Sequence, residues 1–245
     1  MIETFVVLLL AHTFADFLFQ TEWMVRKKAE PGPITLHIAI VLATSQAAIG
    51  SVTAPALLYL AAAHLVIDLA KVHLGKGGLL AFLMDQAAHI LSLGVVAAMY
   101  PDLWASGFWA QQVDAAYHDE IFHFILAVIA FVWAVRAGEF AIGILMRPLS
   151  LRVRGQGLPN GGRLIGWLER AMILLLVGVG QPAGIGFLIG AKSILRFGTA
   201  SKDQKYSEYV IIGTLASFAW ALAVAYLAQG LSGLLPPLEI GPQTP

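Results

Sequence analysis

"LAHTFADFLFQTEW", residues 10–23, places His12, Asp16 and Gln20 at four-residue intervals in an otherwise almost wholly apolar run. Four-residue spacing puts all three on one face of a helix. An imidazole and a carboxylate one turn apart are costly in so apolar a helix, and the rest of the chain must show what offsets them.

Of the 245 residues, 58% are hydrophobic and only 12% charged, with a mean hydropathy of +0.77. A soluble domain averages roughly a quarter charged residues. Several apolar runs approach the ~17–25 residues that cross a bilayer. The expected fold is all-α, a polytopic transmembrane helix bundle of about eight membrane segments. The segments are 2–22, 34–50, 54–71, 79–100, 121–146, 164–180, 183–198 and 206–230. The pair 164–180 and 183–198, joined by "GQPAG", reads either as two crossings or as a re-entrant hairpin. Gly186 and Gly190 form a small-xxx-small pair suited to close helix approach.

Lys and Arg are distributed unevenly among the connections. The odd-numbered ones carry Arg26, Lys27 and Lys28, then Lys71 and Lys76, then Arg147, Arg152, Arg154 and Arg163, then Arg196, Lys202 and Lys205. The even-numbered ones carry none. The positive-inside rule places the odd connections in the cytoplasm and both termini outside. The N-terminus enters the first helix without the basic region of a signal peptide. The expected domains are 1–100, a four-helix bundle; 101–120, an outer interfacial linker with Trp104 and Trp109; 121–230, a second bundle; and 231–245, a Pro-rich flexible tail.

The opening pattern recurs. His12-x3-Asp16 lies on the first segment, His64-x3-Asp68 on the third, and Asp85-x3-His89, written backwards, on the fourth. The fourth segment runs opposite to the other two, so the reversal keeps the spatial order: Asp nearer the cytoplasm, His one turn deeper. The carboxylates lie about 3–6 residues from the cytoplasmic helix ends, roughly 5–9 Å. His37, near the start of the second segment, joins the carboxylate level.

Each Asp at a helix centre costs about 2.5–3.5 kcal/mol on the insertion scale. Ordinary hydrogen bonds in membranes return only ~0.6–2 kcal/mol each, whereas a structural zinc contributes ~10–16 kcal/mol. There is no cysteine. His12, Asp16, His37, His64, Asp68, Asp85 and His89 therefore suit one or two divalent ions, zinc first and manganese or iron as alternatives. The other readings of the same groups are a proton or ion relay and a buried polar network. Gln20 and Lys71 extend the site, with His37 as ligand or general acid/base; a helix–helix hydrogen bond for Gln20 and an Asp68 salt bridge or snorkelling for Lys71 are the plainer alternatives. Arg170, Lys192 and Arg196 read either as a basic wall for an anionic substrate or as intramembrane ion pairs, with Glu208 the expected partner of Arg170 or Lys192.

H-E-x-x-H and G-x-S-x-G are absent, which argues against zincin-type proteases and serine hydrolases. "GKGG" (75–78) and "GQGLPNGG" (155–162) lack a Walker pattern and read as loops.

"LLLAHTFADFLFQTEWM", the lone His opening the second segment, "AHLVIDLAK" and "LMDQAAHIL" together resemble the bacterial membrane proteins grouped as domain of unknown function 3307. "GWLERAMILLLVGVGQPAGIGFLIGAKSILRF" and "SEYVIIGTLASF" are similar to members of the same group. The His/Asp pattern is more loosely similar to membrane-bound metal-dependent hydrolases. Together with the metal-ligand pattern, that resemblance makes a metal-dependent hydrolase of the bacterial cytoplasmic (inner) membrane the first expectation; the depth of the site and the nearby basic residues point to a phosphate-containing or lipid-linked substrate. A proton- or metal-ion-coupled transporter or channel is the second expectation, and a metal-stabilised scaffold the third. The expected partners are the lipid bilayer and a lipid or anionic small molecule, with no nucleic acid.

Overall fold

Apolar residues fill α1 (Ile2–Phe14), and the helix runs on into a wider π-helical turn, Ala15–Phe19. These features come from a computed structural model that describes residues 1–74, 77–150, 158, 160–200 and 204–237. Gln20 is extended (φ −76°, ψ 107°), so the first segment ends at Phe19 rather than at residue 22. The reason is local: Thr21 Oγ1 accepts the Met24 N–H at 3.4 Å and caps a new short helix, α2 (Glu22–Arg26).

The next helix, α3 (Pro31–Ile49), starts three residues before the expected position because Pro31 is preorganised for the first turn. It ends on Gly50 in the left-handed conformation (φ 72°). Then follow α4 (Pro55–Leu74) and α5 (Leu79–Met99). Helix α1 packs on α3 and α5, and α4 packs on α3 and α5, which closes a four-helix bundle.

The segment after α5 is tied onto one end of that bundle. Thr4 Oγ1 donates to the Pro101 carbonyl (2.8 Å) and accepts from the Trp104 N–H (3.2 Å). Phe108 N–H donates to the Gly50 carbonyl at 3.0 Å. A Cβ at Gly107 would stand 1.9 Å from the Ile49 carbonyl oxygen, so only glycine permits this approach. Short helices α6 (Phe108–Gln112) and a 3-10 turn, Ala115–Tyr117, lead into α7 (His118–Val132). Trp104, in the segment expected at the interface, is buried, edge-on to Phe122 at 5.5 Å. Trp109 remains exposed and donates its indole N–H to the Ala47 carbonyl at 2.7 Å.

By compactness the chain divides into residues 1–129 with the stretch from Gly230 onward, and residues 130–229. The second unit takes the end of α7, a π-helical turn Trp133–Ala137, α8 (Gly138–Ser150), α9 (Gly161–Gly178), α10 (Gly184–Ala200) and most of α11 (Gln204–Ser232). Its core joins Ile173, Val177, Ile185, Phe218, Ala221 and Ala225. Gly184, where a Cβ would meet Leu176 at 2.9 Å, is the close contact of the α9–α10 turn. Gly186 and Gly190, expected to fill that role, have nothing within 4 Å of where a Cβ would stand.

Among the described residues every regular element is helical. Among those residues six stretches are long and apolar enough to cross a membrane: Ile2–Phe19, Pro31–Ile49, Pro55–His73, Leu79–Met99, Ala115–Leu149 and Ser207–Ser232. The protein is an all-α polytopic membrane protein. The two remaining expected segments differ for a physical reason. Helix α9 carries Arg163, Glu169 and Arg170, and the apolar part of α10 spans only Gly184–Ile194. Lys76, Arg152, Arg154 and Lys202, residues 155–157 and 159 of the expected 155–162 loop, the tail from residue 238 and the side chain of Arg196 lie outside the described residues, while Gly161 and Gly162 already belong to α9.

Candidate metal centre

Each helix of the four-helix bundle carries its polar residues near the same end. The π turn of α1 holds Asp16, with His12 one turn earlier; the second turn of α3 holds His37. Helix α4 presents His64 at its middle and Asp68 one turn nearer its C-terminus, and α5 presents Asp85 in its second turn and His89 at its middle. All seven side chains are buried, and Asp68 and His37 are 0% exposed.

Four atoms form the centre of the cluster. His37 Nε2 and His64 Nε2 are 3.1 Å apart. Asp16 Oδ1 lies 3.4 Å from His37 Nε2 and 3.5 Å from His64 Nε2. Asp68 Oδ2 lies 3.6 and 3.7 Å from the same two nitrogens. Ligands at ~2.0–2.1 Å around a tetrahedral ion are separated by about 3.3–3.4 Å. These five separations straddle that value. Asp16 Oδ1 and Asp68 Oδ2 are both buried without a hydrogen-bond partner. The two groupings His37–His64–Asp68 and His12–Asp16–His64 each bring three potential ligand atoms within 4.8 Å of one another.

The surrounding hydrogen bonds fix which atoms carry protons. Gln86, buried on α5, places its Nε2 3.2 Å from Asp85 Oδ2, which only accepts. That orientation turns Gln86 Oε1 toward His12 Nε2 at 3.4 Å, so this nitrogen is the donor. His12 Nδ1 then presents a lone pair, without a partner, 3.8 Å from Asp16 Oδ1. Two acceptors facing each other in a buried site call for a cation between or beside them. His89 Nδ1 donates to the Asp85 backbone carbonyl at 2.8 Å, which leaves Nε2 as an unpartnered acceptor 3.9 Å from Asp68 Oδ1. The imidazoles lie close together, with ring centroids 4.1 Å apart for His64–His89, 5.2 Å for His12–His89 and 5.1 Å for His37–His64.

Two lysines complete the cluster. Lys28, just after α2, is buried with Nζ 2.5 Å from Asp68 Oδ1. Lys71 reaches across from α4 to Asp85 Oδ2 at 2.6 Å, its side chain 37% exposed. This corrects the expected partner of Lys71, which is Asp85 rather than Asp68; Lys28 already holds Asp68. Lys28 and Gln86 escape sequence reasoning. The first reads as one of three topology-setting charges, and the second as an ordinary helix residue. Gln20 is displaced from the His12 face because the π turn and the extended backbone intervene, and its buried Nε2 has no partner.

Arg170 and Lys192 belong to the second unit and have partners there. Arg170, 3% exposed, donates to Ser217 Oγ (2.9 Å) and to the Val135 carbonyl (3.0 Å) in the π turn. Lys192 pairs with Glu169 at 2.6 Å. Glu208, the expected partner of one or the other, instead accepts from Gln204 at 2.9 Å on the exposed side of α11. Glu139 gathers Arg136 (2.5 Å), Arg163 (3.6 Å) and the Trp167 indole N–H (3.1 Å).

Residues 4–116 match the model of a family described as protein of unknown function (DUF3307). The resemblance to that family thus holds over a stretch that contains all seven His and Asp residues, Lys28, Lys71 and Gln86. The second unit lies beyond it. No curated protein and no solved structure matches the chain.

Proposed function

We propose that this protein is a metal-dependent hydrolase of the bacterial cytoplasmic membrane, with Asp16, His37, His64 and Asp68 holding a zinc-type divalent ion. One observation carries the reading: two imidazole nitrogens and two carboxylate oxygens, all buried, lie 3.1–3.7 Å apart across five pairs, near the spacing of tetrahedral ligands, with both carboxylate oxygens otherwise unpartnered. The donors are nitrogen and oxygen only, a set that suits zinc, manganese or iron. When bound, such an ion supplies water activation at neutral pH and polarisation of the scissile group.

The chain's own residues supply the rest. His89, fixed through Nδ1, has a free lone pair on Nε2 with which to take the proton that water loses, and it returns that proton to the leaving oxygen. Lys71, part-exposed beside Asp85, meets an anionic group of the substrate. Gln20 offers its Nε2 as a further donor. The substrate class is a phosphate-containing or lipid-linked molecule that enters from the cytosolic leaflet. The Lys and Arg distribution supports that orientation, with both termini outside.

The file of close imidazoles favours one alternative, a proton- or metal-ion-coupled transporter using the same groups. Elemental analysis of detergent-purified protein, wild type beside His64→Ala/Asp68→Ala, decides first. Metal in the wild type, lost in the variant, with metal-dependent hydrolysis of phosphate esters, supports the enzyme. Metal without hydrolysis but with uptake into proteoliposomes supports transport. Absence of metal in both proteins, even after reconstitution with zinc, manganese or ferrous iron, overturns the hydrolase.

A further inference from the structure

We infer that the centre is mononuclear, because Lys28 stands as a built-in cation where a second metal ion would have to bind. The inference rests on the metal-centre reading above and sharpens it. Seven His and Asp side chains are enough for two ions, and Asp68, Asp85 and His89 form a third grouping of potential ligand atoms within 4.8 Å of one another. Asp68 is the only residue shared between this grouping and the His37–His64–Asp68 grouping. A two-ion site would therefore use Asp68 as its bridge, Oδ2 toward one ion and Oδ1 toward the other.

The two oxygens of Asp68 are not equivalent. Oδ2 faces His37 and His64 and has no hydrogen-bond partner. Oδ1, which faces His89 Nε2 at 3.9 Å, is held by the Lys28 ammonium at 2.5 Å. In the second carboxylate of that grouping, Asp85 Oδ2 is held by Lys71 and the Gln86 amide, and Oδ1 has no hydrogen-bond partner. A dication drawn to Asp68 Oδ1 would meet the fixed positive charge of a buried lysine at close range, where little solvent screens the repulsion. Lys28 thus balances the outer oxygen of Asp68 and leaves the inner one for a single ion.

Charge agrees with this count. Asp16, Asp68 and Asp85 face Lys28 and Lys71, so one negative charge is left over when the histidines are neutral, as metal ligation requires. One divalent ion turns that into one positive charge, which hydroxide or an anionic substrate neutralises. Two ions would leave three positive charges in a buried site. The mononuclear centre is therefore matched to an anion.

The test is metal stoichiometry on the full-length protein in detergent, with zinc as the probe and Asp68→Ala as the control for adventitious surface binding. One equivalent of zinc per wild-type chain at saturation is expected, and a second tightly held equivalent in Lys28→Met, where Oδ1 of Asp68 is released. Two equivalents in the wild type overturn the mononuclear assignment while the metal-centre reading stands. Zero equivalents overturn both. A single equivalent in folded Lys28→Met overturns the role given to Lys28. Should Lys28→Met not fold, manganese loading of the wild type gives a second measurement. An isolated-ion electron paramagnetic resonance spectrum supports one ion per chain, and a spin-coupled pair overturns it.

Discussion

The two units bury charge in apolar helices in opposite ways. In the second unit, cations meet ready partners: Lys192 has Glu169, Arg136 has Glu139, and Arg170 has Ser217 and the Val135 carbonyl. In the first unit, carboxylate oxygens gather imidazole nitrogens instead. Asp16 Oδ1 faces three imidazole nitrogens, and Asp68 Oδ2 faces two of the same three. Each unit also has a π turn among its described residues, and there too the use differs. The Trp133–Ala137 turn offers a carbonyl that Arg170 satisfies, whereas the Ala15–Phe19 turn carries Asp16 itself into the cluster. In the second unit Arg170 Nε stays buried without a partner, an unmet donor on a cation, whereas the unmet groups of the first unit include carboxylate oxygens, which attract a cation.

Removing Asp68 should have the largest effect. Asp68→Ala strands Lys28 as an unpaired buried charge, and breaking such a pair costs about 3–5 kcal/mol. It also deletes one of the proposed ligands, so thermal unfolding and elemental analysis should both change. A variant that unfolds within about 1 kcal/mol of wild type and keeps its metal would erase the contrast between the units. Arg170→Met sharpens the contrast from the other side. It leaves the Val135 carbonyl and Ser217 hydroxyl without their donor, a loss of about 2–4 kcal/mol, yet metal content should stay at the wild-type level. Metal loss in Arg170→Met would mean that the two networks are not independent.

Much of the first unit is legible in the sequence because its signal is periodic. Helix segments follow from apolar runs, and the forward and reversed His/Asp pairs lie on helices that alternate in direction, so they meet at one end. The structure adds what periodicity does not encode. Lys28 reaches Asp68 only because Thr21 starts a separate short helix and the chain doubles back before Pro31. Gln20 leaves the His12 face because the π turn breaks the four-residue rhythm that placed it there. The partners of Lys192 and Arg170 depend on which helices of the second unit pack together, and spacing along one helix is silent about that. Trp104 is expected at the interface because a tryptophan between two membrane segments usually marks it, but the spacing does not show what its ring packs against. Here Thr4 and Gly107 instead draw its backbone onto the bundle end.

That tied-down bundle end offers the smaller tests. Gly107→Ala forces a methyl group onto the Ile49 carbonyl, 1.9 Å away, and the backbone shift should cost about 1–3 kcal/mol of stability. Trp109→Phe keeps an aromatic ring but loses the bond to the Ala47 carbonyl, in the last turn of α3 where no backbone donor follows in the helix. Its loss should be about 0.5–1 kcal/mol, because water reaches that exposed carbonyl once the indole N–H is gone. Both substitutions lie beside Ile49, Gly50 and Thr4, at the bundle end away from Asp16, Lys28, Asp68 and Asp85. Metal content should therefore hold in each while unfolding in detergent moves to lower temperature. If Gly107→Ala instead releases metal at temperatures where it stays folded, the ligand geometry depends on how the far end of the four-helix bundle is closed. The centre would then be set by the whole unit rather than by the four helix ends that carry it.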